Sequence, residues 1–198
     1  MRKSTSRNLV AMICLAAISA AMTAVFYLMY RVSGNGTAET VYITFLTVTY
    51  HLAMRLAVGE AVTLLYRNRD FNQNSPVFHI FRFEEKLYSI LGVKGWGKKV
   101  LTAKPEQFDL RENSLESLLH NISQAELVHI IIMLLSFVPI FLIIPYGAPA
   151  VFIATSVAAC LVDLKYVMIQ RCNRPQVMRI IEKKRARIKD FRRGEDKT

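Results

Sequence analysis

Cysteine is scarce in this chain, and its three cysteines form no recognisable framework. Their spacing matches no zinc or redox motif, and the odd number argues against a set of structural disulfides. Catalytic serine motifs, phosphate loops and glycine-rich dinucleotide fingerprints are missing as well. The sequence therefore points neither to a disulfide-stabilised scaffold nor to a common nucleotide-binding enzyme.

Acidic residues are also few: 15 Asp and Glu stand against 26 Lys and Arg, which gives a net charge of +11. Most of the basic excess lies near the two ends of the chain. Such a pattern often indicates nucleic-acid binding. Here the basic runs adjoin apolar blocks, and the positive-inside rule of membrane proteins explains them more simply. We therefore expect no nucleic-acid partner.

Long apolar blocks dominate what is present, at residues 9–30, 41–66, 125–144 and 148–169. The first block is 22 residues long and would span about 33 Å as a helix, enough for the hydrocarbon core. It exceeds the usual apolar length of a signal peptide, so we expect an uncleaved helix. The pattern predicts an all-α integral membrane protein, a single membrane domain over 1–198 with four transmembrane helices.

Charges between the blocks predict the orientation. Residues 67–124 hold nine Lys and Arg and the tail 170–198 holds eleven, whereas the links 31–40 and 145–147 hold one between them. Basic segments stay on the cytoplasmic side. We expect a multi-pass protein of the cell membrane with both termini and the segment 67–124 in the cytoplasm.

The segment 67–124 mixes charges with apolar residues at helical spacing, as at Phe83, Leu87, Ile90 and Leu91. Ser114 is a good N-cap for a second helix that continues into the third apolar block. We predict cytoplasmic-side amphipathic helices between the second and third transmembrane helices, in contact with membrane lipids.

Charged residues inside the second block need partners, because a charge in the bilayer costs about 2.5–3.5 kcal/mol on insertion scales. His51 and Arg55 are four residues apart and share one helix face. Arg55 should meet Asp163, Glu60 or an anionic group of a ligand. The sequence leaves an interhelical ion pair and a ligand contact equally open.

Glu126 and His129 begin the third block and lie three residues apart, on one helix face. A carboxylate beside an imidazole can orient it, and an oriented imidazole can deprotonate a hydroxyl. The simpler alternative is that Glu126 and His129 form a hydrogen-bonded pair at the membrane interface without a catalytic role. The other histidines lack metal-ligand spacing, so we expect no metal and no bound cofactor.

The fourth block closes on Gln-Arg-Cys-Asn-Arg-Pro at residues 170–175. Arginines bind phosphate or carboxylate with two parallel hydrogen bonds. Arg171, Asn173 and Arg174 are therefore candidates for an anionic headgroup, at a turn that Pro175 would impose where the helix leaves the membrane. The alternative is that these basic residues only mark the cytoplasmic end of the spanning helix and contact lipid headgroups.

Three stretches together resemble the glycosyl-diaponeurosporenoate acyltransferase family of bacterial carotenoid pathways. They are Phe-Glu-Glu-Lys-Leu-Tyr with Gly-Val-Lys-x-Trp at 83–96, Ala-Glu-Leu-Val-His at 125–129 and the stretch at 170–175, in the family's order. Cys172 stands where the family has tyrosine, Gln176 replaces a basic residue and Gly97 replaces a lysine. The first two apolar blocks look more like Gram-positive relatives than like the carotenoid enzyme itself.

The resemblance implies a membrane acyltransferase that moves a fatty acyl group onto a hydroxyl of a lipid-linked sugar or similar lipid acceptor. His129 would be the general base, Glu126 would orient it, and Glu84, Arg55 and His51 would support substrate binding with the arginines. Acyl-CoA is an attractive donor because its phosphates suit cytoplasmic arginines. The alternative is a non-catalytic lipid-binding subunit with membrane-protein partners.

Overall fold

The computed structural model describes residues 7–99, 105–109 and 113–195, and every regular element in these ranges is helical. Six α-helices follow one another along the chain: α1 (Arg7–Ser33), α2 (Gly36–Leu65), α3 (Arg82–Ile90), α4 (Leu115–Leu135), α5 (Ile143–Tyr146) and α6 (Pro149–Glu195). The helices α1, α2, α4 with its continuation to Tyr146, and α6 are long and apolar enough to cross a membrane. This confirms the predicted all-α membrane fold with four spanning helices.

The first two helices form a close hairpin, in which α2 begins at Gly36 rather than at residue 41. Gly34 makes the turn with a φ of +64°, and the Asn35 side chain caps α2 by accepting a backbone N–H at 2.8 Å. Between the helices, the Thr49 hydroxyl donates to the Ser19 hydroxyl at 2.9 Å. Small polar side chains of this kind let membrane helices approach closely.

The helix α4 begins as predicted, with the Ser114 hydroxyl accepting the Ser117 N–H at 3.0 Å. It ends at Leu135, not at residue 144 as expected from the apolar block. Pro139 has no N–H to donate, and the chain continues as a 3₁₀ helix over Val138–Leu142. A turn at Gly147, with a φ of +67°, then leads into α6.

The prediction of a turn at Pro175, where the last spanning helix was expected to leave the membrane, is wrong. The helix α6 continues through Pro175 to Glu195, so Pro175 imposes no turn. An interior proline removes one backbone hydrogen bond, and packing can offset this loss. Val177 and Ile181, just beyond the proline, pack against Leu118 and Ile122 of α4 and keep the helix on its neighbour.

The predicted interfacial helix is α3. Phe83, Leu87 and Ile90 are exposed on it, whereas Tyr88 is buried against Met168 of α6. The helix therefore presents an apolar face outward while one tyrosine attaches it to the bundle. This geometry positions the polar residues of α3 beside those of α4 and α6.

Candidate active site

Arg55 forms the ion pair that the sequence led us to expect, with Asp163 as its partner. The Asp163 side chain is only 1% exposed, and Arg55 also donates to the Ala159 carbonyl of α6 at 3.4 Å. The contact joins α2 to α6 within the apolar part of the bundle. An intramembrane charge is thereby neutralised by an opposite charge on a neighbouring helix.

His129 contacts the same carboxylate from the other side. Its Nδ1 lies 2.9 Å from Oδ1 of Asp163, while Arg55 holds Oδ2. We expected Glu126 to contact and orient His129, and this prediction is wrong. Residues three apart on a helix diverge by about 60° around its axis, and α6 presents a different partner to each of them.

Glu126 is fully buried and accepts from two arginines of α6. Arg171 Nε lies 3.1 Å from one of its oxygens, and Arg174 Nε lies 2.9 Å from the other. Arg171 Nη1 then reaches Glu84 of α3 at 2.7 Å. Two carboxylates and two guanidinium groups thus form a balanced network, Glu84–Arg171–Glu126–Arg174, which connects α3, α4 and α6.

Tyr88 extends this network on α3, because its hydroxyl donates to Glu84 at 3.3 Å. Burial and the nearby charge of Glu84 together raise the pKa of Tyr88 to about 12, although Arg171 opposes this rise. The phenol therefore remains a protonated donor at neutral pH.

The remaining donors of the two arginines contact the segment that precedes α3. Arg171 donates to the Val77 carbonyl at 3.1 Å, and Arg174 donates to the Phe78 carbonyl and lies over the Phe78 ring. Protein acceptors thus hold both guanidinium groups. The headgroup-binding role expected for Arg171, Asn173 and Arg174 stays a prediction, and so does that of Glu84.

A cavity of about 280 Å³ lies between α1, α2, α4 and α6, and His129, Asp163 and Arg55 line it. Its other polar lining includes Glu60, Thr63, Asn121, Gln124, Tyr166 and Gln170, and its apolar lining includes Leu9, Met12, Leu56, Val128, Ile132 and Val162. We expected one cavity to hold both His129 and Glu126 with the two arginines. That expectation is wrong, since the buried network Glu84–Arg171–Glu126–Arg174 lies beside the cavity lining.

His51 is buried one turn away from Arg55 on α2, outside this cavity lining. Its ring packs edge-on against Tyr50, with centroids 5.4 Å apart. Neither ring nitrogen has a hydrogen-bond partner within the described ranges. Its expected part in substrate binding stays a prediction.

The model of the glycosyl-4,4'-diaponeurosporenoate acyltransferase family matches residues 67–183, more than half of the chain. The chain belongs to this family. It is therefore a transferase of the acyltransferase type and a multi-pass membrane protein. Comparisons with curated proteins and with solved structures find no match.

In this acyltransferase the family match contains Glu84, Glu126, His129, Asp163 and both arginines of the network, whereas Arg55 and His51 precede it. From the sequence we expected Asp163 only as a partner of Arg55, and its contact with His129 was not predicted. Tyr166, whose ring stacks on His129 at 4.5 Å, was not predicted to take part either. Asp163 and Tyr166 are three residues apart on α6, a spacing that could have indicated one shared face.

Proposed function

We propose that the protein transfers a fatty acyl group to a hydroxyl of a lipid-linked sugar or a similar lipid acceptor, with His129 as general base. One observation carries this proposal: His129 bonds to the buried carboxylate of Asp163 inside a cavity that is part polar and part apolar. The family match supports the acyl-transfer chemistry.

The contact with Asp163 prepares His129 to accept a proton. An ionised carboxylate can only accept hydrogen bonds, so Nδ1 of His129 carries the hydrogen of this contact. The other ring nitrogen, Nε2, is then the basic one. The His129 side chain is 21% exposed, which leaves the ring accessible from the cavity. Asp163 thus takes the orienting role that we first expected of Glu126.

Two further contacts fix the ring. Arg55 holds the second oxygen of Asp163, so the carboxylate cannot rotate away from the imidazole. Tyr166 stacks on the imidazole with an angle of 9° between the ring planes. A base whose position is fixed in this way contributes about 10²–10⁴-fold to the rate of proton transfer.

With an acyl thioester such as acyl-CoA as donor, the step is a simple exchange. The acceptor hydroxyl gives its proton to Nε2 of His129, and its oxygen forms an ester bond to the acyl carbon. The carbon–sulfur bond breaks, and the leaving thiolate takes the proton from the imidazolium. No bound cofactor is needed. The apolar lining would hold part of the acyl chain.

The test compares the membrane lipids of host cells by mass spectrometry, with wild-type protein, His129→Ala or no protein. We expect the wild type to produce a new acylated lipid. His129→Ala should reduce its amount at least about 100-fold, because the base is lost. His79→Ala is the matched control, since His79 is exposed before α3 and is not among the residues that line the cavity.

Membrane abundance and thermal unfolding of each purified variant show whether it inserts and folds. An undiminished product with His129→Ala would contradict the role of His129 as base. If cells with folded wild-type protein have the same lipids as cells without the protein, the non-catalytic lipid-binding alternative is favoured instead.

A further inference from the structure

Gln170 presents an unpaired acceptor at the cavity that contains His129. Its side chain lines the cavity and the residue is only 5% exposed. The carbonyl oxygen Oε1 is buried and has no hydrogen-bond partner in the described part of the chain. Buried polar atoms are nearly always hydrogen-bonded, so this oxygen calls for a partner that the described residues do not supply.

The neighbouring amides of the same cavity already have partners. Gln124 donates to the Thr63 hydroxyl at 2.8 Å, and Asn121 donates to the Gln107 carbonyl at 2.7 Å. Gln170 differs from both in that its carbonyl oxygen is buried without a hydrogen-bond partner in the described part of the chain. A ligand with a hydrogen-bond donor would supply the partner that this oxygen lacks.

The position of Gln170 on α6 indicates where the hydrogen-bond donor of such a ligand would lie. Asp163, Tyr166 and Gln170 are spaced by three and four residues and share one helix face. Gln170 lies about 10 Å along the helix axis from Asp163. The ring of Tyr166, stacked on His129, lies between these two levels. A group with several hydroxyls could therefore meet His129 and Gln170 at the same time.

We propose that Gln170 recognises the acceptor, a proposal that rests on the function proposed above. Its carbonyl oxygen accepts a hydrogen bond from a second hydroxyl of a sugar headgroup whose reacting hydroxyl faces His129. Such a site selects against an acceptor that lacks this second hydroxyl, because the buried oxygen would remain unpaired. Gln170 is thus a specificity-determining residue.

The experiment measures binding without any acyl donor, so that no turnover occurs. Wild-type protein in phosphatidylcholine nanodiscs is titrated with n-hexyl β-D-glucoside and with its four monodeoxy analogues. We expect at least one analogue to bind about tenfold or more weakly than the parent. The Gln170→Leu variant should bind the parent glucoside as weakly as the wild type binds that analogue. Its affinity for the analogue itself should be the same as that of the wild type.

Gln176→Leu is the matched control, because Gln176 is exposed on the same helix and donates only to the Cys172 carbonyl. A purely structural role of Gln170 predicts a lower unfolding temperature for Gln170→Leu. The binding role predicts an unchanged or higher one, because an unsatisfied buried group is removed. Gln170→Met provides a second apolar variant should Gln170→Leu fail to fold.

Two results would overturn the inference: a wild type that binds all five glucosides equally or not at all, or variants of Gln170 that keep the discrimination. Failure of the proposed function has a different signature. In that case discrimination depends on Gln170, while His129→Ala leaves the lipid product unchanged.

Discussion

Asp163 contacts two groups that differ in kind, a permanent cation and a titratable imidazole. Each of its oxygens has one of these partners, and the carboxylate is almost completely buried. An unpaired carboxylate at such a position would be very unfavourable. Arg55 therefore supplies the counter-charge of Asp163, and Asp163 in turn positions His129. One ion pair thus serves both the packing of the bundle and the proposed base.

This coupling predicts an asymmetry in stability. Asp163→Asn leaves Arg55 without its counter-charge, so the free energy of unfolding should fall by about 3–5 kcal/mol. The double variant Arg55→Met with Asp163→Leu removes both charges and should lose much less. Unfolding by sodium dodecyl sulfate, in mixed micelles and followed by circular dichroism, would measure both.

Asp190→Asn is the control for this comparison, because Asp190 is exposed on the same helix. Its stability should equal that of the wild type. A double variant as unstable as Asp163→Asn would show that the ion pair is not what the single variant disrupts.

Among the helices, α6 supplies several of the polar residues of the candidate site and contacts α2, α3 and α4. Asp163 meets α2 and α4, while Arg171 and Arg174 meet α3, α4 and the segment before α3. These residues span three turns of helix. All three precede Pro175, and the helix continues beyond this proline to Glu195.

The continuity of α6 can be measured by electron paramagnetic resonance between spin labels at Lys165→Cys and Lys183→Cys, with the native cysteines replaced by alanine. Both lysines are exposed, and their separation of 18 positions along the chain corresponds to about 27 Å in an unbroken helix. We expect a narrow distance distribution near this value.

The same label pair in a Pro175→Ala background is the matched control. A continuous helix gives nearly the same distance with either residue. A clearly shorter or broader distance in the wild type, restored towards 27 Å by Pro175→Ala, would show that the proline turns the chain after all.

The whole molecule divides into an apolar bundle and a charged end built from residues 67–99 and the second half of α6. Most large apolar side chains that remain exposed lie on the long helices, as expected of a surface that faces lipid. The balanced network of Glu84, Glu126, Arg171 and Arg174 fastens the charged end to the bundle. The positive-inside rule predicts that this end lies in the cytoplasm.

The orientation predicts which cysteines a membrane-impermeant reagent can reach in intact cells. In a background without native cysteines, Gly36→Cys at the turn between α1 and α2 should be labelled from outside, because no neighbouring atom crowds this position. Lys189→Cys on the exposed end of α6 should be labelled only after the cells are broken. Labelling of Lys189→Cys in intact cells would contradict the orientation.

Some features followed from the sequence alone because they depend on neighbours along the chain. Apolar length determined the four spanning helices, and local side-chain chemistry determined the start of α4 at Ser114. The need to neutralise an intramembrane charge made Asp163 one of the candidate partners of Arg55.

Only the tertiary structure decided which polar groups meet. The sequence suggested that Glu126 would orient His129, because the two are close along α4. The rotation of α6 against α4 instead brings Asp163 to His129 and Arg171 to Glu126. The same packing carries α6 past Pro175 and leaves the Gln170 carbonyl oxygen without a hydrogen-bond partner among the described residues. Helical periodicity determines which residues share a face, whereas packing between helices determines what that face contacts.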